Sequence, residues 1–138
     1  MTIRDYRSED FPKVVELWKQ TGIYTEERGD TAGLILQCNR QGGRLLVLED
    51  PDNGEPAGTS WLTWDGRRMF LHHFALRPDL QGRGLGRELA VKSLEYARTK
   101  GCPVKLEVDR DNHAAIHLYE SLGFDTFGNY EVMMNLNP

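Results

Sequence analysis

The sequence predicts an α/β protein of the mixed α+β kind, with a mixed, mostly antiparallel central sheet and helices on both faces. Two observations carry this prediction. Apolar runs of strand length follow one another through the middle of the chain, separated by short segments rich in turn-forming residues. Segments before and after these runs repeat apolar residues at helical spacing. The predicted order of elements, β-α-α-β-β-β-α-β-α-β-β, is typical of helices layered on a sheet.

The first half is predicted to contain a short edge strand, two helices and three strands. Ser8 is placed to cap the first helix, which ends at Thr21-Gly22. The second helix begins in the run Gly29-Asp30-Thr31 and ends before Gly42-Gly43. The strands are Thr2 to Tyr6, Arg44 to Glu49, Ala57 to Trp64 and Met69 to Leu76.

The second half is predicted to contain two helices, a strand between them and a final hairpin. Gly101 is placed to end the first of these helices and Gly123 the second. In chain order the elements are a helix from Gly84 to about Lys100, a strand from Val104 to Val108, a helix from Asp111 or Asn112 to Leu122, and hairpin strands at Phe124 to Phe127 and Tyr130 to Leu136.

The composition indicates one ordinary globular domain spanning residues 1–138, with 39% hydrophobic residues and a net charge of −4. The acidic balance disfavours a nucleic-acid partner, which needs a basic face. Cys38 and Cys102 have neither the spacing of a metal site nor that of a disulfide framework, and they suit a reducing compartment. The first residues resemble neither a signal peptide nor a membrane span. We therefore expect a cytoplasmic protein with no metal and no membrane partner.

A glycine-rich bend joins the strand ending at Leu76 to the following helix. Gly82, Gly84 and Gly86 alternate with other residues, and glycine permits positive φ and close approach of a ligand to the backbone. The first turn of a helix adds unpaired N–H groups and the positive end of the helix dipole. Together these features predict an anion site, most simply a phosphate site.

The spacing of these glycines fits neither of two common phosphate loops. Gly86 is followed by Arg87 and Glu88, whereas a Walker A loop needs lysine and a hydroxyl residue. The dinucleotide fingerprint has a different spacing and follows the first strand of a parallel unit. The stretch instead resembles the Q-x-x-G-x-G pyrophosphate loop of the GNAT superfamily of acyl-CoA-dependent N-acetyltransferases, with Gln81, Gly84 and Gly86 in the motif positions.

A second block of the chain is similar to another motif of the same superfamily, N-x-x-A-x-x-x-Y-x-x-x-G-F. The matching residues are Asn112, Ala115, Tyr119, Gly123 and Phe124. The resemblance implies the GNAT fold, with two central strands that splay apart around the pantetheine arm of acetyl-CoA, the expected co-substrate. It further implies cofactor contacts along the first of these strands, around the glycine loop and on the later helix: Phe74, Ala75, Leu76, Gln81, Gly82, Arg83, Gly84, Leu85, Gly86, Arg87, Asn112, Ala115 and Tyr119.

The implied reaction moves two protons. An amine acceptor is an ammonium ion at pH 7 and must lose a proton before it attacks, while the leaving thiolate must gain one. By its motif position, Tyr119 is the expected acid. For the base, Glu107, His72, His73 and a water molecule remain alternatives. Adjacent strand residues face opposite ways, so we expect at most one of His72 and His73 to face the cleft.

The acceptor is less well defined than the co-substrate. The strings L-E-V, N-x-A-A-I and L-Y-E-S-L-G-F resemble the ribosomal-protein N-α-acetyltransferase branch, in which the base matches Glu107. The final hairpin loop is shorter than in that branch, so we expect a small-molecule or peptide primary amine in a ternary complex. The resemblance implies that the loop carrying Tyr24, Glu26 and Glu27 lies beside the acceptor.

Two alternative functions remain, a non-catalytic acyl-CoA-binding or sensing module and a protein N-terminal acetyltransferase. The exposed C-terminal strands that we predict favour a homodimer.

Overall fold

The computed structural model describes residues 1–24 and 29–138, and the chain forms two compact units, Met1–Glu107 and Val108–Pro138. The first unit contains β1 (Thr2–Asp5), α1 (Phe11–Gln20), α2 (Ala32–Arg40), β2 (Arg44–Glu49), β3 (Pro56–Trp64), β4 (Met69–Leu76), α3 (Leu85–Lys100) and β5 (Val104–Leu106). The second unit contains α4 (His113–Ser121).

The strands form one sheet in the order β1-β2-β3-β4-β5. Neighbours from β1 to β4 pair antiparallel, whereas β4 and β5 pair parallel. The parallel ladder joins Met69–Leu71 to Val104–Leu106, while β4 continues beside β3 as far as Leu76. The predicted mixed, mostly antiparallel sheet is confirmed, and β4 and β5 are paired only at the beginning of β4.

Helices cover both faces of this sheet, as predicted. On one face, Trp18 of α1 packs against Trp61 of β3 in a core that also holds Ile35 of α2. On the other face, Ser60 of β3 shares a buried hydrogen bond with Ser93 of α3, at 2.6 Å. Because Ser60 and Trp61 are neighbours on the strand, their side chains point to opposite faces. The alternation of β3 therefore separates the α1/α2 layer from the α3 layer.

The predicted C-terminal hairpin is wrong, because residues 124–138 contain no strand. The prediction relied on local apolar character, but a strand also needs a partner for its backbone groups, and α4 is the only regular element described within Val108–Pro138. Several apolar side chains of this segment are exposed instead: Phe127, Tyr130, Val132, Met133, Met134 and Leu136. The strand predicted for residues 104–108 also ends early, at Leu106.

None of the helices in the described parts of the chain combines the length and the apolar character that crossing a membrane requires.

Candidate functional site

The glycine loop between β4 and α3 has the predicted backbone at two of its three glycines. Gly82 and Gly84 both have a φ of 79°, in the left-handed region, and Gly84 is the N-cap of α3. Gly86 has no positive φ and is a helical residue in the first turn of α3, inside the helix predicted from Gly84 to about Lys100. A Cβ added at Gly82 or Gly84 would meet no atom within 4 Å. Glycine is therefore favoured at these two positions by the positive φ and not by a lack of room for a side chain.

The start of α3 has no side-chain cap. The N-cap residue Gly84 has no side chain to accept a hydrogen bond, so the N–H groups of the first turn donate none to a capping side chain. Exposed arginines at positions 83 and 87 flank the same turn. Before the loop, Arg77 pairs with Asp50 at 2.8 Å and with Asp79 at 2.6 Å. These ion pairs fix the point where the chain leaves β4. The first turn of α3 then combines backbone N–H donors with the positive charge of the two arginines.

The end of β4 carries the other residues expected to contact the cofactor. Ala75 is buried and lies opposite Thr59, and Leu76 lies opposite Gly58. Nε2 of Gln81 donates a hydrogen bond to the carbonyl of Leu76, at 3.1 Å. The motif glutamine thus ties the loop back onto the strand that precedes it.

A β-bulge interrupts β4 at His73 and Phe74, just before Ala75. Trp61 of β3 lies opposite His72, and Thr59 lies opposite Ala75, so Ser60 faces both His73 and Phe74. His73 has a φ of 45° and is the only non-glycine residue with positive φ in the described part of the chain. The bulge disturbs the strict alternation that the sequence predicted.

Both histidines consequently lie beside the same tryptophan. The ring centroid of Trp61 is 6.4 Å from that of His72 and 5.4 Å from that of His73. Which of the two faces the cleft stays a prediction, but both side chains lie on one face of the sheet, where strict alternation predicts opposite faces. The reason is the bulge, which turns His73 back towards the face that His72 already occupies.

His72 has a perturbed titration. His72 is exposed, yet partial desolvation by the protein around its ring, followed by the charge of His73, lowers the pKa of His72 below its usual value, while the charges of Glu107 and Asp30 act in the opposite direction. The lowered pKa leaves this imidazole neutral at pH 7, in the form that accepts a proton. Glu107 is exposed just after β5, near enough for its charge to act on His72. Two of the predicted base candidates are thus brought together.

His73 pairs with a carboxylate that the sequence analysis did not single out. Nε2 of His73 lies 3.0 Å from Oδ2 of Asp30, and both side chains are mostly buried. The ring of Trp18 packs on the imidazole, with 4.3 Å between centroids. Asp30 lies just before Thr31, the N-cap of α2. A signal for this role was not visible in the sequence, because the two residues are far apart along the chain.

In the second unit, the residues of the second motif lie on α4 or close to its ends. Oδ1 of Asn112 accepts a hydrogen bond from the backbone N–H of Ala115, at 3.2 Å, so the motif asparagine is the N-cap. Tyr119 is buried, and burial raises its pKa to about 12. Its ring contacts Phe124 edge-on, at 5.7 Å between centroids. Asn112 and Phe124 therefore fix the two ends of the helix that carries Tyr119.

The expected acceptor loop is described only in part. Tyr24 is half-buried against the α1/α2 core, and Nζ of Lys19 lies 5.4 Å from the centroid of its ring. Glu26 and Glu27 lie outside the described residues.

Comparison with known proteins decides the family. The acetyltransferase (GNAT) family profile matches residues 2–124. The chain belongs to the acetyltransferase (GNAT) family. An acetyltransferase of Pectobacterium atrosepticum is 31% identical over 127 residues, which are 91% of this chain and 89% of that protein. Acetyltransferase is accordingly the class of enzyme that the matches support.

Solved structures agree with this GNAT assignment. The ribosomal-protein alanine N-acetyltransferase of Escherichia coli is 26% identical, with a TM-score of 0.74 over 92% of this chain and 79% of that one. An acetyltransferase of Trypanosoma brucei is 22% identical, with a TM-score of 0.78 over 97% of this chain and 99% of that one, and supports the fold.

The GNAT chain has no metal-binding cluster in its described residues, where no three histidine, cysteine, aspartate or glutamate side chains come together suitably. The sequence singled out the glycine loop, His72, Glu107 and Tyr119, whose roles stay predictions. It missed Asp30, Thr59 and the two tryptophans that hold His73, since each of these residues acts through a contact that is distant in the sequence.

Proposed function

We propose that this acetyltransferase moves the acetyl group of acetyl-CoA to a primary amine, by direct attack in a ternary complex. The observation that carries the proposal is the loop from Gly82 to Gly84, whose left-handed backbone opens the uncapped start of α3 beside free space. Helix N-termini bind phosphate groups through their N–H groups and dipole. The loop is therefore assigned to the pyrophosphate of CoA, with Arg83 and Arg87 as neighbouring positive charges.

The reaction balances as follows. The ammonium group of the acceptor gives one proton to a base, and the nitrogen lone pair attacks the thioester carbon. The nitrogen is then positively charged, and it loses a second proton to water as the tetrahedral intermediate collapses. A C–N bond forms and the C–S bond breaks, which leaves CoA thiolate. The thiolate gains a proton from an acid on the enzyme, and solvent restores both the acid and the base. The products are an acetylated amine, CoA thiol and one proton released to water.

His72 is assigned as the base. Its lowered pKa keeps the imidazole neutral at pH 7, and a neutral imidazole accepts a proton without prior loss of its own. Nearby Glu107 is an exposed carboxylate whose negative charge stabilises the imidazolium that forms. The two candidates are therefore complementary, with His72 as the proton acceptor and Glu107 as its electrostatic partner.

Tyr119 is assigned as the donor to the leaving thiolate. A phenol with a pKa of about 12 remains protonated throughout the working pH range. It is also a weaker acid than an ordinary tyrosine, so full transfer to a solvated thiolate, with a pKa of about 8.5, would be uphill. Desolvation raises the pKa of the CoA thiol towards that of the phenol, which makes the transfer less unfavourable. The role of Tyr119 is thus a hydrogen bond to sulfur that becomes proton transfer as the C–S bond breaks.

A peptide N-terminus is the second candidate acceptor. The observation that favours it is the 26% identity to the ribosomal-protein alanine N-acetyltransferase. A free amine and a peptide α-amine have the same reacting group, so the chemistry assigned above applies to both. The roles of Tyr24, Glu26 and Glu27 in binding a cationic acceptor remain predictions.

The test is release of CoA thiol from acetyl-CoA across a panel of acceptors. The panel contains free primary amines, peptides with free N-termini, and the same peptides with blocked N-termini as matched controls. We expect release above the hydrolysis background with at least one unblocked acceptor, and mass spectrometry should find the acetyl group on its nitrogen. CoA binding without release on every acceptor would instead identify a non-catalytic acyl-CoA-binding module.

A further inference from the structure

His73 is held in an unusual backbone conformation by contacts on several sides. Its φ of 45° lies in the left-handed region, which a non-glycine residue keeps only when its surroundings fix it. The carbonyl of His73 accepts a hydrogen bond from the hydroxyl of Thr59, at 2.7 Å. That hydroxyl oxygen in turn accepts one from Nε1 of Trp18, at 2.8 Å. A chain of hydrogen bonds from α1 through β3 therefore fixes the bulge of β4.

The imidazole of His73 is fixed as firmly as its backbone. Trp18 and Trp61 pack against the ring, at 4.3 Å and 5.4 Å between centroids. Nε2 is within 3.0 Å of Asp30, whereas Nδ1 is buried without a hydrogen-bond partner. A buried nitrogen cannot collect a proton from an acceptor in solvent. His73 is therefore suited to holding a neighbour in place and unsuited to being the base itself.

That neighbour is His72, the next residue of the same strand. Its ring contacts Trp61, which also contacts His73, and stacks on Phe70 at 5.9 Å between centroids. A shift of the bulge at His73 would change the backbone of His72 directly and the position of Trp61 as well. The orientation of His72 thus depends on the contacts that hold His73.

We propose that Asp30 is a positioning residue for acetyl transfer, which acts by anchoring His73 at the bulge and thereby orienting His72 towards the acceptor amine. The inference rests on the proposed function, in which His72 takes the proton of the acceptor ammonium group and passes it to water. Asp30 touches neither the acceptor nor acetyl-CoA in this assignment. It connects the start of α2 to the strand that carries the base.

The first experiment compares wild type with Asp30→Asn, which keeps the shape of the side chain and removes its charge. Displacement of a catalytic group by about 1 Å costs on the order of 10²-fold in rate, so we expect kcat to fall by about 10- to 100-fold. The KM for acetyl-CoA should stay within about twofold, because the glycine loop is unchanged. Asp52→Asn removes the same charge from an exposed turn and serves as the matched control.

The second experiment asks whether Asp30 acts through His73. His73→Gln removes the partner, and the Asp30→Asn/His73→Gln double variant should be no slower than His73→Gln alone, since residues that act as one unit are not additive. His73→Gly tolerates the left-handed backbone and lacks the ring, so it should be folded and as slow as His73→Gln. Rates are divided by the concentration of CoA-binding sites, which excludes unfolded protein from the comparison.

Two results would overturn the inference. Asp30→Asn with the kcat of wild type would remove any positioning role, and losses that multiply in the double variant would show that Asp30 does not act through His73. Failure of the proposed function is recognised separately, because wild type itself would then release no CoA thiol with any acceptor.

Discussion

Nε2 of His72 lies 2.9 Å from Oγ1 of Thr63, a diagonal neighbour on β3. If the imidazole donates from Nε2, its lone pair is on Nδ1, and if the hydroxyl donates, the proton is on Nδ1. In the first case Thr63 accepts the hydrogen bond from Nε2, and the lone pair of Nδ1 is free to take a proton from the acceptor. In both cases the hydrogen bond restrains the orientation of the imidazole ring.

Thr63→Val should lower kcat because it removes this hydrogen bond while keeping the branched shape of the side chain. We expect a fall of about threefold to 30-fold, smaller than loss of the base, which is worth about 10²- to 10⁴-fold. Thr63→Ser retains the hydroxyl and should stay close to wild type. Steady-state kinetics with a saturating acceptor measures the difference. Equal rates for the valine and serine variants would show that this hydrogen bond does not matter for the reaction.

The pKa of His72 should respond in opposite directions to the loss of two charged neighbours. Glu107→Gln removes a negative charge that raises the pKa of His72, so the pKa should fall. His73→Gln removes the neighbour whose charge lowers the pKa of His72, so that pKa should rise. Asp30 is the remaining charge that acts on this ring, and it is kept in both variants. NMR titration of the imidazole measures both shifts, and the acid limb of kcat/KM should move with them.

Shifts of the same sign in the two variants would contradict this electrostatic description. An acid limb that did not follow the measured pKa of His72 would show that another group is the base. His72→Gln supplies the reference, because it should abolish the limb altogether if His72 is responsible for it.

The sequence predicted those parts of the fold that local chemistry determines. The bounds of β4 were correct, since an apolar run ends there at turn-forming residues. Gly101 ends α3 with a φ of 65°, as its position after the last helical turn indicated. Asn112, one of two candidates in the sequence, is the N-cap of α4. Each of these features depends on residues close together in the chain.

Features that depend on distant contacts could not be predicted in the same way. The bulge at His73 is fixed by Thr59 and Trp18, and its salt bridge with Asp30 joins the start of α2 to β4. No local pattern identifies such partners. The C-terminal hairpin failed for the related reason that apolar residues after Phe124 indicate strand propensity but do not supply a pairing edge.

Tyr119→Phe should separate packing from catalysis. The ring and its contact with Phe124 remain, so α4 should stay folded, while the proton donor is lost. We expect kcat to fall by about 10²- to 10⁴-fold, the usual range for a general acid. Affinity for acetyl-CoA should change by less than about threefold. Turnover within a few-fold of wild type would make Tyr119 a packing residue only.

The assignment of the glycine loop to the CoA pyrophosphate is tested most directly by calorimetry of CoA binding to Gly84→Asp. Gly66→Asp is the matched control, because Gly66 also has a positive φ, of 90°, and open space around its Cα, but lies in the turn between β3 and β4. Both variants place a side chain at a positive φ and add the same charge. Only Gly84→Asp places that charge at the start of α3, where it repels a phosphate. We predict an increase in Kd of at least about 100-fold for Gly84→Asp, equivalent to about 2.7 kcal/mol, and less than about threefold for Gly66→Asp. Unchanged CoA affinity in a folded Gly84→Asp protein would contradict the assignment.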